Sequence, residues 1–237
     1  RHGETEQNKD GIWQGHTNTQ LSKIGKAQVK LLSKRINLTN LTVFTSDLAR
    51  AKETAYFLSD SPIVRENLRE INVGDLTGKS VKETYSNNLD IFDALQDDTY
   101  VFPNGESVQG FKLRVQQEVD HIFDSIDEDS ECVVVTHGFF IGTAIGLVLG
   151  FNQYPYPIGN IQNTSISTVI KRDSVMQVNK FNDAIHLPNS YIDYPAKDKS
   201  RILTFIRHGQ TDSNTQGVWQ GHFDNPLNTY GVETAKE

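Results

Sequence analysis

The feature that most constrains this chain is an internal repeat. Arg1-His2-Gly3-Glu4-Thr5, Asn8, Gly11, Trp13-Gln14-Gly15-His16, Leu21 and Gly25 return as Arg207-His208-Gly209-Gln210-Thr211, Asn214, Gly217, Trp219-Gln220-Gly221-His222, Leu227 and Gly231, at a constant offset of 206 and without a gap. Chance does not produce that, and a gapless repeat specifies the same local structure twice. Ahead of the second copy, residues 202–206 form a short apolar, β-branched run that reads as a buried strand feeding directly into Arg207. The first copy begins at Arg1 with no such run before it, and the second stops at Glu237, early in its first helix. The expectation is a piece of a tandem protein. A module lacking its first strand covers 1–187, a polar linker with Pro188 and Pro195 covers 188–200, and a truncated second copy covers 201–237.

Within the first module, strands and helices alternate. Ile24, Ala27, Leu31 and Leu32 give residues 22–36 a helical spacing, 41–45 is a short strand, Ser46 or Asp47 caps a helix running through Leu58, and 62–64 is a further strand. Helices are expected over 81–95 and 107–126, the second with Phe111, Val115, Val119, Ile122 and Phe123 on one stripe. A buried strand over 131–136 precedes an apolar helix over 138–149, and strands 165–170 and 175–181 form a hairpin turning at Arg172-Asp173-Ser174. This order implies an α/β fold, three-layer α/β/α with a mostly parallel central sheet, in which ligands bind where strands give way to loops.

Composition narrows the function classes. A net charge of −7 lacks the basic face a nucleic-acid binder needs, although a few arginines in one cleft can still hold a small anion. The longest apolar run, 139–151, is broken by glycines, so no membrane span is expected. The single cysteine, Cys132, cannot form an internal disulfide and points to a reducing, cytoplasmic setting. In that setting the Asn-x-Ser/Thr triplets at Asn37, Asn40 and Asn163 read as chance.

Four polar clusters fall at predicted strand ends or beside glycine turns. Arg1-His2-Gly3 sets an imidazole beside a guanidinium at a turn that glycine permits. Ser46-Asp47-Leu48-Ala49-Arg50 puts Arg50 near the positive pole of a helix, where its fork suits a phosphate. Thr136-His137-Gly138 ends a buried strand on a second histidine. Leu68-Arg69-Glu70-Ile71 brings a carboxyl ahead of the glycine-bounded loop 74–78. Each alone also fits a plain structural role: a surface turn, a helix-surface ion pair with Asp47 or Glu53, a core histidine, a solvated carboxylate. In this order and spacing they resemble the histidine phosphatase superfamily, the branch that includes cofactor-dependent phosphoglycerate mutases and their phosphatase relatives. The resemblance covers 1–187 and starts again at Arg207.

That resemblance implies that His2 is the nucleophile, transiently phosphorylated, with Arg1, Arg50 and His137 on the phosphoryl oxygens and Glu70 as proton donor. Glu106 is a second candidate for the acid; Glu70 is preferred because its Leu-Arg-Glu-Ile context is the closer match. Asn8, Gln14, Gly15 and Gly138 fall where the family contacts the phosphoryl group or substrate, and Arg207, His208, Asn214, Gln220 and Gly221 are their second-copy equivalents. The physical logic agrees: phosphoryl transfer needs positioning and charge neutralisation, and neighbouring guanidinium groups favour the neutral imidazole that attacks. No metal or other cofactor is called for, and the partner is a small anionic phosphorylated substrate, not a nucleic acid or a membrane.

The family's mutases carry an Arg and a Tyr just after the acid, in a long insertion; Ile71-Asn72-Val73-Gly74 follow Glu70 here, so hydrolysis of small phosphate monoesters is expected over mutase transfer. The lid, 77–104, is acidic (Asp90, Asp93, Asp97, Asp98) and offers no distinct site for a second phosphate. A catalytically inactive phosphate-binding or regulatory module is the reading from a different class. Trp13 and Trp219 suit packing beside the loop better than ligand stacking. The repeat adds a topological expectation: residues 202–206, from the same chain or by strand exchange in a dimer, insert ahead of Arg1. That would bring Arg207 and His208 into the pocket and displace Arg1 and His2. A linker of thirteen residues reaches roughly 40 Å, enough to cross such a domain.

Overall fold

Thr42–Ser46, rich in β-branched and aromatic residues, is the central strand β1 of the computed structural model, flanked in parallel by β2 (Ile63–Arg65) and β3 (Cys132–Val135). Residues 1–37, 39, 41–87, 97–151, 160–188, 207–219 and 221–236 are described. Register pairs Thr45 with Val64 on one side and with Val135 on the other, so the carboxyl ends of the strands share one edge of the sheet. Alternation along β1 sends neighbouring side chains to opposite faces. Val43 packs with Leu32, Ala51, Ala55, Leu58 and Val135, whereas Phe44 joins Leu68, Phe111, Val115, Ile122 and Phe140. Helices α2 (Lys23–Arg35) and α3 (Ala49–Ala55) supply the first set; α5 (Val108–Ser125) and α6 (Gly138–Val148) supply much of the second. The result is the three-layer α/β arrangement expected, completed by short helices α1 (Glu6–Lys9) and α4 (Val81–Asn87). A separate antiparallel pair, β4 (Ile166–Arg172) and β5 (Val175–Asp183), turns at Asp173, whose φ is 53°. The backbone of Arg1 and His2 bridges the two sheets: His2 N–H donates to Thr136 O (3.0 Å), and Thr164 N–H donates to Arg1 O (3.1 Å). Among the described residues no helix is long and apolar enough to cross a membrane.

One expected cap fails. Neither Ser46 nor Asp47 caps α3, which begins after Leu48 without a side-chain cap and is regular only to Ala55. Ser46 ends β1, its hydroxyl accepting from Leu48 N–H, and the Asp47 carboxylate is bound by Arg69. Of the helix expected over 81–95, Val81–Asn87 is helical and 88–96 lie outside the described residues. Most of the 188–200 linker and all of 202–206 also lie outside them, as does Gln220.

The chain forms two compact units, Arg1–Ser190 and Tyr191–Glu237. Within the second, α7 (Asp212–Thr215) and α8 (Thr229–Thr234) repeat the local design of the first. Thr5 and Asn8 close a capping box at α1, and Thr211 with Asn214 close the same box at α7. The glycines repeat for a steric reason. A Cβ on Gly25 would lie 2.1 Å from Glu4 O, and one on Gly231 would lie 2.1 Å from Gln210 O. Backbone rests directly on backbone in both copies. We expect Gly25→Ala to lower unfolding stability by about 1–3 kcal/mol, overpacking outweighing the roughly 1 kcal/mol that alanine gains in helix propensity. A urea midpoint that stays level or rises would contradict this account. The tryptophans differ: Trp13 is buried beside Tyr85 and Phe139, whereas Trp219 is 97% exposed.

Candidate active site

The ends of β1 and β3, and the loop after β2, converge on His2. The His2 Nδ1 lies 2.7 Å from Gly3 O; a carbonyl can only accept, so Nδ1 carries the proton and Nε2 is left with its lone pair. Arg50 agrees with that tautomer, its Nε–H donating to Nε2 at 3.3 Å. Arg50 stands in the first turn of α3, almost wholly buried, with its other nitrogens donating to Thr17 O (2.7 Å) and Gly15 O (2.9 Å). Burial lowers its pKa to about 10, so it stays a cation at neutral pH. Thr54, one turn along α3, donates to Arg50 O and accepts from Gly3 N–H at 3.0 Å. One helix thus fixes both the guanidinium and the turn that carries the histidine.

His137, at the end of β3, meets the His2 ring edge-on with centroids 5.1 Å apart. Both its ring nitrogens are buried without a protein partner, as is Arg1 Nε. The Arg1 guanidinium donates to Ile161 O and lies against Gly138, where an added Cβ would sit 3.6 Å from its Cζ. Each unpaired buried polar group costs on the order of 1–3 kcal/mol. Such groups clustered beside His2 Nε2 and the Arg50 fork make a dry, cationic site for a polar anion.

Glu70 closes the site from the β2 side. Its carboxyl accepts from Phe139 N–H (3.1 Å) and Phe140 N–H (3.2 Å) in the first turn of α6, and from Ile71 N–H (3.1 Å). Burial pushes its pKa up, and these amides together with Arg50 and Arg1 pull it only part of the way back. Arg114 braces the segment by donating to the carbonyls of Asn67, Arg69 and Glu70, while His16 Nε2 lies 2.8 Å from Glu70 O. Glu106 is placed differently. Arg114 grips its carboxylate through Nε (2.9 Å) and Nη2 (2.8 Å), and Asn72 N–H adds a third bond.

Burial, then Arg50, depresses the pKa of both His2 and His137 well below the usual histidine value. A folded state that refuses these protons loses stability as pH falls, because the unfolded chain takes them up below about 6.5. The loss begins there and accumulates until the folded-state values are reached. We expect the thermal midpoint to drop between pH 7 and pH 5, and His137→Gln to flatten that slope. The bridged carboxylates Asp47 and Asp183 are held below their ordinary range, so they contribute only at lower pH. Equal slopes in the two proteins would remove His137 as a cause.

The remaining predicted residues divide into two groups. Gly15 and Gly138 sit at the site, Gly15 (φ 47°) through the carbonyl that holds Arg50. Asn8 and Gln14 hold the loop together: Asn8 Oδ1 accepts from Thr5 N–H, and Gln14 Oε1 accepts from the hydroxyls of Thr5 and Thr19. Arg1 and His2 lie in the pocket, where Thr136 and Thr164 hold their backbone, and the strand expected to displace them, 202–206, lies outside the described residues. Arg207 and His208 are exposed, and His208 Nδ1 bonds its own Gly209 O as His2 bonds Gly3. Asn214 is spent on its capping box, and Gly221 is exposed at φ 55°. Sequence reasoning missed Thr54, which stood unassigned beside Arg50, and Asn163, visible only as part of a triplet. Of the lid acids, Asp97 caps Thr99 and Asp98 pairs with Lys112; Asp90 and Asp93 lie outside the described residues.

Two imidazoles, two guanidinium groups and a buried carboxyl at the strand ends of a parallel sheet define a phosphate-handling α/β enzyme. The family model of the Histidine phosphatase superfamily (branch 1) matches residues 1–184 and 203–237. A probable phosphoglycerate mutase, GpmB, of Enterobacter sp. is 27% identical over 84% of this chain and 95% of its own. The metal-independent phosphoserine phosphatase of Arabidopsis thaliana is 29% identical over 79% of this chain and 81% of its own. Among solved structures, a mutant phosphoserine phosphatase of Entamoeba histolytica with bound phosphoserine superposes with a TM-score of 0.70, at 27% identity, covering 79% of this chain and 96% of that one. The chain belongs to the histidine phosphatase superfamily, and it is an enzyme of the histidine phosphatase type.

Proposed function

We propose that this chain hydrolyses phosphate monoesters of small metabolites through a phosphohistidine on His2. The observation that carries the reading is the lone pair of His2 Nε2 turned toward Arg50 Nε, in a pocket whose unpaired donors come from Arg1 and His137. In this reading Nε2 attacks phosphorus, and the P–O bond to the leaving group breaks. Arg1, Arg50 and His137 hold the equatorial oxygens where charge accumulates. Glu70, its pKa raised by burial, gives its proton to the departing alkoxide and then takes one from the water that cleaves the P–N bond. Gly138 and Gly15 keep the guanidinium groups close, and Asn8 and Gln14 act through the loop that carries Gly15. The roles fall to Arg1 and His2, with Arg207, His208, Asn214, Gln220 and Gly221 outside the reaction.

The mutase reading rests on the similarity to GpmB. Against it stands the short path after Glu70, where Ile71-Asn72-Val73 leads directly into the tight turn Gly74–Leu76. Incubation with p-nitrophenyl phosphate, phosphoserine and 3-phosphoglycerate, followed by an alkaline quench and peptide mapping, tests the proposal. The expected result is free phosphate and a phosphorylated His2 peptide. Isomerised phosphoglycerate without phosphate release supports the mutase, and no phosphoenzyme from any ester rejects both.

A further inference from the structure

We infer that Asn163 is a positioning residue for His2, holding the nucleophile's main chain from the turn before β4; this rests on the phosphohistidine reading. Asn163 Nδ2 donates to His2 O at 3.0 Å and reaches Asn8 Oδ1 at 3.3 Å. The next residue, Thr164, is wholly buried and holds a left-handed φ of 60°, a conformation that a β-branched side chain resists. Its N–H lies between Arg1 O (3.1 Å) and His2 O (3.3 Å), and its hydroxyl is 3.1 Å from His186 Nε2. The strained turn aims two donors at one carbonyl.

That carbonyl matters because of what is bonded to it. The His2–Gly3 peptide is gripped at its oxygen by Asn163 and at its nitrogen by Thr54, and the next carbonyl along, Gly3 O, takes the proton of His2 Nδ1. His2 N–H is meanwhile tied to Thr136 O. These main-chain bonds fix the backbone from which the ring springs, and the ring's own bonds to Gly3 O and Arg50 Nε and its edge contact with His137 complete the direction of Nε2. Without the amide donor, His2 O keeps only the 3.3 Å contact with Thr164, and the ring can swing from the line of attack. Reacting atoms held about 1 Å out of place cost roughly 100-fold. The anion site is built from Arg1, Arg50 and His137, none of which bonds Asn163, so phosphate affinity is set separately. The same contact gives the Asn163-Thr164-Ser165 triplet a use: a sugar on Nδ2 would compete with the bond to His2.

The test uses the whole chain with Asn163→Asp, equal in size but without a donor, and Asn163→Ala. Rapid-quench phosphorylation by p-nitrophenyl phosphate is normalised to the number of sites titrated with inorganic phosphate, which counts folded pockets. We expect both variants to form phosphohistidine about 10- to 100-fold more slowly per site, with kcat/KM falling alike and with inhibition by inorganic phosphate within about twofold of the parent. A per-site rate equal to the parent's overturns the inference, as does a parallel weakening of phosphate inhibition, which would mean a collapsed pocket. The parent's own burst separates the two claims: a parent that makes no phosphohistidine refutes the underlying mechanism, whereas a bursting parent with unimpaired variants refutes only the role of Asn163.

Discussion

His2→Ala should abolish phosphoenzyme formation and reduce turnover by at least about a thousandfold, since a lost nucleophile leaves only binding and charge stabilisation. His208→Ala should leave turnover unchanged. The pair of variants decides between the two copies of the motif. His2 is buried against His137, with its Nε2 facing the Arg50 fork, whereas His208 is exposed in the other unit. The size of the effect follows from the geometry: a methyl at position 2 leaves Arg50 Nε facing no nucleophile, and the remaining imidazole, His137, lies with its ring centroid 5.1 Å from that of the lost ring. Activity surviving in His2→Ala and vanishing in His208→Ala would reinstate the permuted arrangement.

Glu70→Gln should separate substrates by leaving group. An alkyl phosphate departs as a strong base and needs the proton, so the variant should lose about 100- to 10,000-fold. p-Nitrophenolate leaves unaided, so in kcat/KM, which excludes the hydrolysis step where Glu70 serves every substrate as base, the loss there should be several-fold. The parent should show the same division with pH. Burial holds the Glu70 pKa above the ordinary carboxyl value, so its acid form persists to higher pH; turnover of the alkyl ester should fall as pH rises through that titration, while the aryl ester stays level. Glu106→Gln offers the contrast: it leaves the Glu70 carboxyl in place and only loosens the grip of Arg114, which braces the Glu70 loop, so its loss on the alkyl ester should be much smaller than that of Glu70→Gln. Equal losses from Glu70→Gln on the two esters would remove it as the acid.

Much of this was legible in the chain itself. Short-range patterns are local physics: Phe111, Val115 and Ile122 recur at helical spacing, and α5 buries them. The apolar run before His137 reads as a buried strand; it is a strand, with Val135 buried and Cys132, Val133 and Val134 partly exposed. Arg1, His2, Arg50, Glu70 and His137 could be named in advance because their motifs together resemble those of the histidine phosphatase superfamily, and the structure brings all five together. The cap of α3 was misread because Asp47 finds a stronger partner, Arg69, twenty-two positions away.

What the sequence alone determined, then, is the order of the elements, the family and the identity of the residues gathered around His2. Those follow from periodicity, glycine placement and a motif set that needs no knowledge of distance. Only the tertiary structure shows what holds the Arg1-His2-Gly3 turn, because identical local sequence carries no information about the distant Thr136 and Thr164 that clamp it. It also decided how each carboxyl is held: Glu70 accepts from backbone amides beside His2, whereas Arg114 grips Glu106. Asn163 belongs to the same class, its bond to His2 O spanning 161 positions, a separation at which pairing is set by the packing of the sheets rather than by any pattern along the chain.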